Sequence, residues 1–282
     1  MWLGQPSGGG GGNRAKAAAV AAATTVVVTV GLTGSLLLGG EKAGVAGSTD
    51  AKASASASQS ATASASGTPG GTGTAKPTVP GWKVVVNPEW GTAFDVPPDW
   101  DVKDPDLLFA FGDDKLDHDD PENWGKFLIA VGGTAVFKEN WCLSDDDKDG
   151  RVDGFVRAVA GTKGEKGARN TADAVLNEVG LWIYGGYTQP DKKSITTDRT
   201  AKPYTTRSGV KGSIAWSRSG NTPRKGRCAS DGKAVMFGFK NSAGEFVAWS
   251  LVADTGGQDE VPDSTIMKIL STVRLHGDPA KS

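Results

Sequence analysis

Residues 233–240 (KAVMFGFK) and 245–253 (EFVAWSLVA) decide the fold, because together they form the clearest β-hairpin signal in the chain. They flank the segment Asn241-Ser242-Ala243-Gly244, and short polar connections that contain Gly commonly join antiparallel strands. Large apolar side chains alternate with other residues along the first strand, at Val235, Phe237 and Phe239. This alternation predicts a strand that packs one face on a core.

The segments before the hairpin show the same strand-like pattern. Runs rich in β-branched and aromatic residues are bounded by Gly, Pro or polar turn residues. These runs are Trp82–Val86, Gly91–Val96, Leu107–Phe111, Lys126–Phe137, Ile195–Thr197 and Gly212–Arg218. The longest run contains Gly132-Gly133, which predicts a bend or a bulge within that strand.

Two segments have a helical period instead. Apolar residues recur every three or four positions over Thr171–Trp182, and Asn170 or Thr171 can cap that helix. Near the C terminus, Asp263 precedes a second apolar stripe in the sequence TIMKILSTV. The order of strands, one helix, further strands and a last helix predicts an α+β fold, in which helices pack on an antiparallel sheet.

Six stretches carry a resemblance to a known group of proteins. They are MWLGQ (1–5), GSLLLGG (34–40), GWKVVVNPEWGTAFDVPPDWDV (81–102), WCLS (141–144), GKAVMFGFKNSAGEFVAW (232–249) and DTGGQDEVPDSTIMKILSTVR (254–274). Together they resemble the single-span membrane proteins of streptomycetes that carry a C-terminal extracytoplasmic domain of unknown function. The segment FDVPPDW (94–100) is also similar to PsbP-like domains and LpqN-type mycobacterial lipoproteins, which implies an α/β/α sandwich around the sheet. Neither resemblance implies catalytic residues.

Residues 17–38 form a run of 22 residues without a charge. At 1.5 Å per residue, a helix of this length spans about 33 Å, enough for a bilayer core of about 30 Å. We therefore predict a single transmembrane helix over residues 17–38, with Arg14 and Lys16 keeping the N terminus in the cytoplasm and the C-terminal part outside. The alternative is a signal peptide with a cleavage site at Gly44-Val45-Ala46, which would give a secreted protein.

The remaining divisions follow from composition. Residues 1–16 are predicted to be a short Gly-rich cytoplasmic tail, and residues 39–80 a disordered linker. The linker consists mainly of Ala, Ser, Thr and Gly, so it cannot bury enough apolar surface to fold. Residues 81–276 hold eight of the nine Trp and every Phe and Tyr, which predicts a globular extracytoplasmic domain before a tail over residues 277–282.

Composition and motifs argue against several functions. A net charge of −1 gives no basic surface for nucleic acid, and two histidines, His118 and His276, cannot build a His-rich metal site. The sequence has no G-x-S-x-G or S-x-x-K motif of a nucleophilic enzyme. A pair of carboxylates for hydrolysis leaves no local signature, because the two groups need only meet in space. The tryptophans at the ends of predicted strands, Trp82, Trp90 and Trp100, are predicted to pack in the core.

Cys142 and Cys228 are predicted to form a disulfide, because export would place this even pair in an oxidising compartment. The alternative is two buried free thiols.

The segment after Cys142 resembles a calcium loop. Counted from Asp145, the oxygen-bearing positions 1, 3, 5, 7 and 9 of an EF-hand loop fall on Asp145, Asp147, Asp149, Arg151 (through its carbonyl) and Asp153, with Gly150 at position 6. Position 12 is Val156, so the bidentate carboxylate is missing. The loop therefore predicts weak Ca²⁺ binding, and its alternative is an acidic surface loop that binds no metal. No other cofactor is predicted.

These features favour a membrane-anchored, extracytoplasmic domain that binds, senses or scaffolds without catalysis. Its partner would be a protein, a lipid or a wall glycan, besides the membrane that its N-terminal segment enters. The alternatives are an extracytoplasmic hydrolase that uses carboxylates and a purely structural protein near the cell wall.

Overall fold

The computed structural model describes residues 75–117, 120–145, 150, 152–223 and 226–280, together with the backbone of Thr25 and Val26. The described residues belong to one structural unit. Its strands are β1 (Thr25–Val26), β2 (Lys83–Asn87), β3 (Thr92–Val96), β4 (Trp100–Val102), β5 (Phe109–Gly112), β6 (Phe127–Phe137), β7 (Cys142–Ser144), β8 (Asp153–Phe155), β9 (Ala158–Gly164), β10 (Ile195–Thr197), β11 (Lys202–Thr205), β12 (Lys211–Ser219), β13 (Asp231–Lys240), β14 (Phe246–Thr255) and β15 (Arg274–Leu275). Its α-helices are α1 (Thr171–Leu176), α2 (Val179–Ile183) and α3 (Asp263–Leu270), and a π-helical turn, Tyr184–Thr188, follows α2.

Every paired strand is antiparallel to its neighbour. The main sheet has the order β1-β5-β6-β9-β14-β13-β12-β10, with β4 beside β6 and β11 beside β12. Strands β15, β3 and β2 form a separate three-stranded sheet, and β7 and β8 form a hairpin.

The predicted hairpin is present as β13 and β14, and it lies at the centre of the main sheet. Phe237 pairs with Trp249, and both side chains are 0% exposed. Eight consecutive residues of each strand are buried, since both faces of the sheet are covered.

Each face of the main sheet packs on a different layer. Helices α1 and α2 pack on one face, where Val175, Val179 and Trp182 contribute to one apolar cluster. The other face packs on α3 and on the three-stranded sheet, which contribute Phe94, Ile266 and other residues to a second cluster around Trp249.

The predicted fold class is wrong. We expected an α+β fold with helices packed on an antiparallel sheet, as in a PsbP-like α/β/α sandwich, preceded by a transmembrane helix. The structure is predominantly β, and its α-helices have only six, five and eight residues. One face of the main sheet is covered in part by strands β2, β3 and β15 instead of by helices alone. The reason is that Val85, Phe94 and Val96 point their apolar side chains from the small sheet into the shared core.

The predicted transmembrane helix is part of this correction. Thr25 and Val26, inside the predicted span, form strand β1, which pairs with Phe111 and Ala110 of β5. Thr and Val are branched at Cβ, which favours strands over helices. The other residues of 17–38, with the predicted tail 1–16 and most of the predicted linker 39–80, lie outside the described residues. Within the described part of the chain, no helix is long and apolar enough to cross a membrane.

The predicted disulfide is present. Cys142 of β7 is bonded to Cys228, which precedes β13, and the two Cα atoms are 5.7 Å apart. The bond ties the β7–β8 hairpin to the main sheet across a sequence separation of 86 residues.

A thiol-labelling experiment tests whether this bond forms in the cell. Cells are denatured directly without a reductant, and the full chain is then treated with a polyethylene-glycol maleimide. We expect no addition to the chain before reduction and two additions after reduction. A Cys142→Ser variant should accept one addition without reduction and serves as the positive control. Two additions before reduction in the unaltered chain would show that the cysteines stay reduced and would contradict export.

Candidate functional site

The main sheet opens between β6 and β9. The two strands pair through Gly132 and Thr162 and, beyond a register shift, through residues 135–137 and 158–160. Continuing the ladder from Gly132 would pair Val131 with Lys163 and Ala130 with Gly164, but no such pairs exist. Among the described residues, the first half of β6 pairs with β5 only. The two strands therefore diverge, and a cleft lies between them.

Glycine and one buried asparagine cause the divergence. Gly133 has φ +52°, a left-handed conformation that other residues adopt at a cost. A Cβ at Gly133 would lie 2.5 Å from Cβ of Asn87, so Asn87 fits there only because Gly133 has no side chain. The Asn87 amide donates to the carbonyl of Thr162 at 3.1 Å and is 2% exposed. Asn87 thus fills the register shift between Gly132 and Ala135, next to the point where the two strands diverge.

The cleft has a volume of about 410 Å³. Its walls are the two diverging strands, through Ala130, Val131, Gly132, Thr162, Lys163 and Gly164. The turn between β2 and β3 adds Glu89 and Trp90, the segment before β5 adds Leu108, the segment after β9 adds Lys166, and Glu178 comes from the break between α1 and α2. This cleft is the candidate functional site.

Backbone groups of Gly164 face the cleft. The N–H of the next residue, Glu165, donates to Phe246 of β14 at 2.8 Å, while Gly164 is opposite Val247. Hydrogen-bonded and non-hydrogen-bonded pairs alternate along an antiparallel ladder, so the N–H and C=O of Gly164 point away from β14. They point toward β6, which has moved away at this level. Trp90 packs over Gly164, because a Cβ there would overlap its six-membered ring.

One lysine joins two glutamates beside the cleft. The Lys163 ammonium donates to Glu165 at 3.0 Å and also to Glu178. Glu178 reaches Lys163 because the predicted helix Thr171–Trp182 divides into α1 and α2 at this residue. Burial raises the pKa of Glu165 to about 7, Lys163 opposes the rise, and Glu178 adds to it. The three groups carry one negative charge more than positive charge when all are ionised.

A second pair of charges lies at the rim. Partial burial of the Glu89 carboxyl raises its pKa, and the nearby Lys166 ammonium opposes that rise. Glu89 and Lys166 are both exposed, so they can reach a ligand without a large change of structure.

Raising the pH should destabilise the protein through Glu165. Its pKa is about 7 in the folded chain against 4.5 for a free side chain, so the folded state binds the proton more tightly. The free energy of unfolding should therefore fall by roughly 1–3 kcal/mol as the pH rises from 4.5 to 7, and then level off. Urea unfolding across this range measures the change.

In Glu165→Gln, the free energy of unfolding should no longer fall with pH above pH 6. In Glu122→Gln, a change on the surface, it should fall as in the unaltered chain. The range above pH 6 is diagnostic because burial also raises the pKa of Asp254, to about 6. An unchanged slope in Glu165→Gln would show that another group is responsible.

The residues of the predicted calcium loop are only partly described. Asp145 is exposed at the end of β7, whereas Asp153 is buried in β8 opposite Ser144. Gly150 has φ +85°, as a sharp turn requires. Asp147, Asp149 and Arg151 lie outside the described residues, so calcium binding stays a prediction.

A buried polar cluster lies near the disulfide and takes no part in the cleft. Arg157 is stacked on the ring of Trp141 at 3.3 Å and bonds Asp254 at 3.2 Å. The hydroxyl of Tyr187 donates to the same carboxylate at 3.1 Å. The adjoining cavity is only about 30 Å³, which leaves little room for a ligand. The bonds of Asp254 connect β14 to Arg157, just before β9, and to Tyr187 of the π-helical turn.

Most residues of the cleft have no local signal in the sequence. Trp90, predicted to be a core residue, does pack against the core but also lines the cleft. Lys163, Glu165 and Glu178 were not singled out, because their side chains meet only once β9 and α2 pack together. The one available signal was Gly132-Gly133, which correctly predicted an irregularity in that strand.

Comparison with known proteins gives one sequence family and one weak structural likeness. The chain is similar to the Ran-binding protein Mog1p of Saccharomyces cerevisiae, with 11% identity over 70% of this chain and 96% of that one. The TM-score of 0.35 is too low to support an argument about fold or function. No curated protein sequence matches the chain. Residues 75–278 match the family described as "Domain of unknown function (DUF8017)", and the chain therefore belongs to this family.

Proposed function

We propose that the domain is an extracytoplasmic, non-catalytic binding module whose ligand occupies the cleft between β6 and β9. The observation that carries this proposal is the cleft itself, a volume of about 410 Å³ that combines an aromatic ring, two ammonium groups, two carboxylates and the backbone of Gly164. Pockets that bind ligands commonly pair apolar walls with a few convergent polar groups.

The arrangement of charges supports binding over hydrolysis. Lys163 bonds both Glu165 and Glu178, and these two carboxyl groups also hydrogen-bond each other, which leaves no room for a water between them. An inverting hydrolase needs a water between its two carboxyl groups, and a retaining hydrolase needs one of them free to attack. A bridged pair fits neither role.

Location outside the cytoplasmic membrane is also part of the proposal. The disulfide of Cys142 and Cys228 supports it, because such bonds persist in oxidising compartments. The resemblance to streptomycete single-span membrane proteins agrees with this location. The partner would then be a protein, a lipid or a wall glycan of the envelope.

Photo-crosslinking in living cells tests the proposal, because it captures a ligand whose identity is still open. Benzoylphenylalanine replaces Lys166 at the rim of the cleft in the full chain, and replaces Ala243 in the exposed β13–β14 turn as a matched control. We expect an adduct from position 166 and none from position 243. Absence of an adduct at 166, or equal adducts at both positions, would favour a purely structural role.

A hydrolase is the second candidate, and one observation favours it. Glu89 and Glu178 line the same cleft, and burial raises the pKa of Glu89, as a general acid requires. Release of soluble reducing sugar from purified peptidoglycan by the full chain, abolished by Glu89→Gln, would replace the binding proposal. No release is the result expected from a binding module.

A further inference from the structure

We propose that the cleft binds an extended peptide with a cationic side chain, which adds as a short strand between β6 and β9. The inference rests on the proposed binding role of the cleft and names the ligand class. Peptides commonly bind by adding a strand to an exposed sheet edge, where backbone hydrogen bonds give affinity and alternate side chains give specificity.

The two edges that such a peptide needs are present. No described strand pairs with the first half of β6 on the side of β9, and Gly164 of β9 points its N–H and C=O toward β6. Gly164 lies at the level of Ala130 across the opening and has no side chain, so the backbone of a ligand can approach β9 closely. Open strand edges are normally covered or blocked in soluble proteins, which makes an opening inside a sheet a candidate for pairing.

The volume sets the length of the bound segment. A residue in a sheet occupies roughly 160 Å³, from about 3.3 Å of rise, 4.8 Å between strands and 10 Å between packed layers. A cleft of about 410 Å³ therefore holds about two or three residues of a peptide. The flanking residues would lie over the rim, near Glu89 and Lys166.

The two faces of the cleft are complementary to different kinds of ligand side chain. Trp90 and Leu108 lie against the positions of Gly164 and Gly132 on one face, which suits an apolar side chain. Lys163 and Glu178 lie on the face of α1 and α2. Successive side chains of a strand point to opposite faces, so the residue next to the apolar one would point toward Glu178.

Charge complementarity favours a cation at that second position. When Glu165 is ionised, it shares the single ammonium of Lys163 with Glu178, so the three groups then carry one uncompensated negative charge in a partly buried place. Burial of the Glu165 carboxyl is the main cause that raises its pKa to about 7, and a cation bound beside it would favour the ionised form. A Lys or Arg side chain of the ligand would supply the missing positive charge.

The position of Trp90 favours a peptide over a glycan. Sugars stack on an open aromatic face, but the six-membered ring of Trp90 packs over the backbone of Gly164. Its remaining surface forms one wall of a narrow opening. Binding of a glycan instead of a peptide is therefore the alternative result of the test below.

The first step of the test is selection from a library of random octapeptides displayed on phage, with the full chain as bait. Ala130→Trp fills the cleft, and Ala243→Trp makes the same change on an exposed turn. The unaltered chain and Ala243→Trp should enrich the same peptides, with Lys or Arg next to an apolar residue, and Ala130→Trp should enrich none of them. If Ala130→Trp does not fold, Gly132→Ala replaces it, since the added Cβ would lie 3.3 Å from the mobile end of Leu108.

The second step measures the binding mode of an enriched peptide by calorimetry. N-methylation of single backbone amides should weaken binding about tenfold at every second position and have little effect between them, as strand pairing requires. Replacement of the cationic residue by norleucine, or Glu178→Gln in the protein, should each weaken binding by about tenfold.

The outcomes separate this inference from the proposed function. No enrichment, or N-methyl effects without alternation, would overturn strand addition by a peptide. Binding of N-acetylglucosamine oligomers that Ala130→Trp abolishes, without any enriched peptide, would overturn this inference and leave the binding role of the cleft intact. Absence of the crosslink at position 166 would overturn the binding role itself.

Discussion

Asp95→Asn should lower the free energy of unfolding by about 3–5 kcal/mol, the usual cost of breaking a buried ion pair from one side. Asp95 lies on β3 and is 0% exposed. Its Oδ2 accepts hydrogen bonds from the N–H and the hydroxyl of Thr78, each at 2.6 Å, and from the N–H of Val79 at 3.2 Å. Its Oδ1 lies 2.9 Å from the Arg274 guanidinium. An amide keeps the shape of the side chain but leaves this guanidinium without a counterion.

Urea unfolding at pH 7 measures the loss. Asp101→Asn, on an exposed position of β4, is the matched control and should change stability by less than about 0.5 kcal/mol. Arg274→Met combined with Asp95→Asn should cost clearly less than the sum of the two single changes, because neither charge is then left alone. A loss in Asp95→Asn that does not exceed the control would mean that the ion pair is not formed in solution.

Gly133→Ala should have the second largest effect, at about 3 kcal/mol or more. The left-handed backbone alone costs a non-glycine residue roughly 1–2 kcal/mol. The new Cβ would in addition lie 2.5 Å from Cβ and 2.9 Å from Cα of Asn87, so backbone as well as side chain must move. Displacing Asn87 breaks its bond to Thr162 and should also abolish the crosslink at position 166.

Gly125→Ala separates the two contributions. Gly125 also has a positive φ, +78°, but a Cβ there would meet nothing within 4 Å. The free energy of unfolding of Gly125→Ala, measured with heat or urea, should therefore fall only by the backbone cost of about 1–2 kcal/mol. Equal losses in the two variants would show that Asn87 is not held tightly between the strands.

The sequence predicted those elements whose pattern is local. The central hairpin and the long strand with Gly132-Gly133 lie where alternation and glycine placed them. The cap at Asn170 is also present, since its side chain accepts from the N–H groups of residues 172 and 173. Period and capping depend only on neighbours in sequence, so they can be recognised without tertiary information.

The candidate site escaped prediction because it depends on distant contacts. Asn87 and Thr162 are 75 residues apart, and their hydrogen bond replaces a ladder that the strand pattern alone would extend. The break of the predicted helix at Glu178 is what brings a second carboxylate to Lys163. The covering of one sheet face by β2, β3 and β15 likewise depends on which strands pair, and alternation does not specify partners.

The bonds of Asp95 determine how the domain responds to a pull from the preceding chain. Thr78 and Val79 are fastened to Asp95, and the carbonyl of Lys76 accepts from Arg274, which belongs to β15 beside β3. Tension that arrives before residue 78 is therefore borne by β3 and β15 before it reaches β2. Asn87, which sets the opening of the cleft, is the last residue of β2. These bonds therefore anchor the start of the domain to β3 and β15, so that a pull on residues 76–79 loads Asp95 before it loads Asn87 and the cleft.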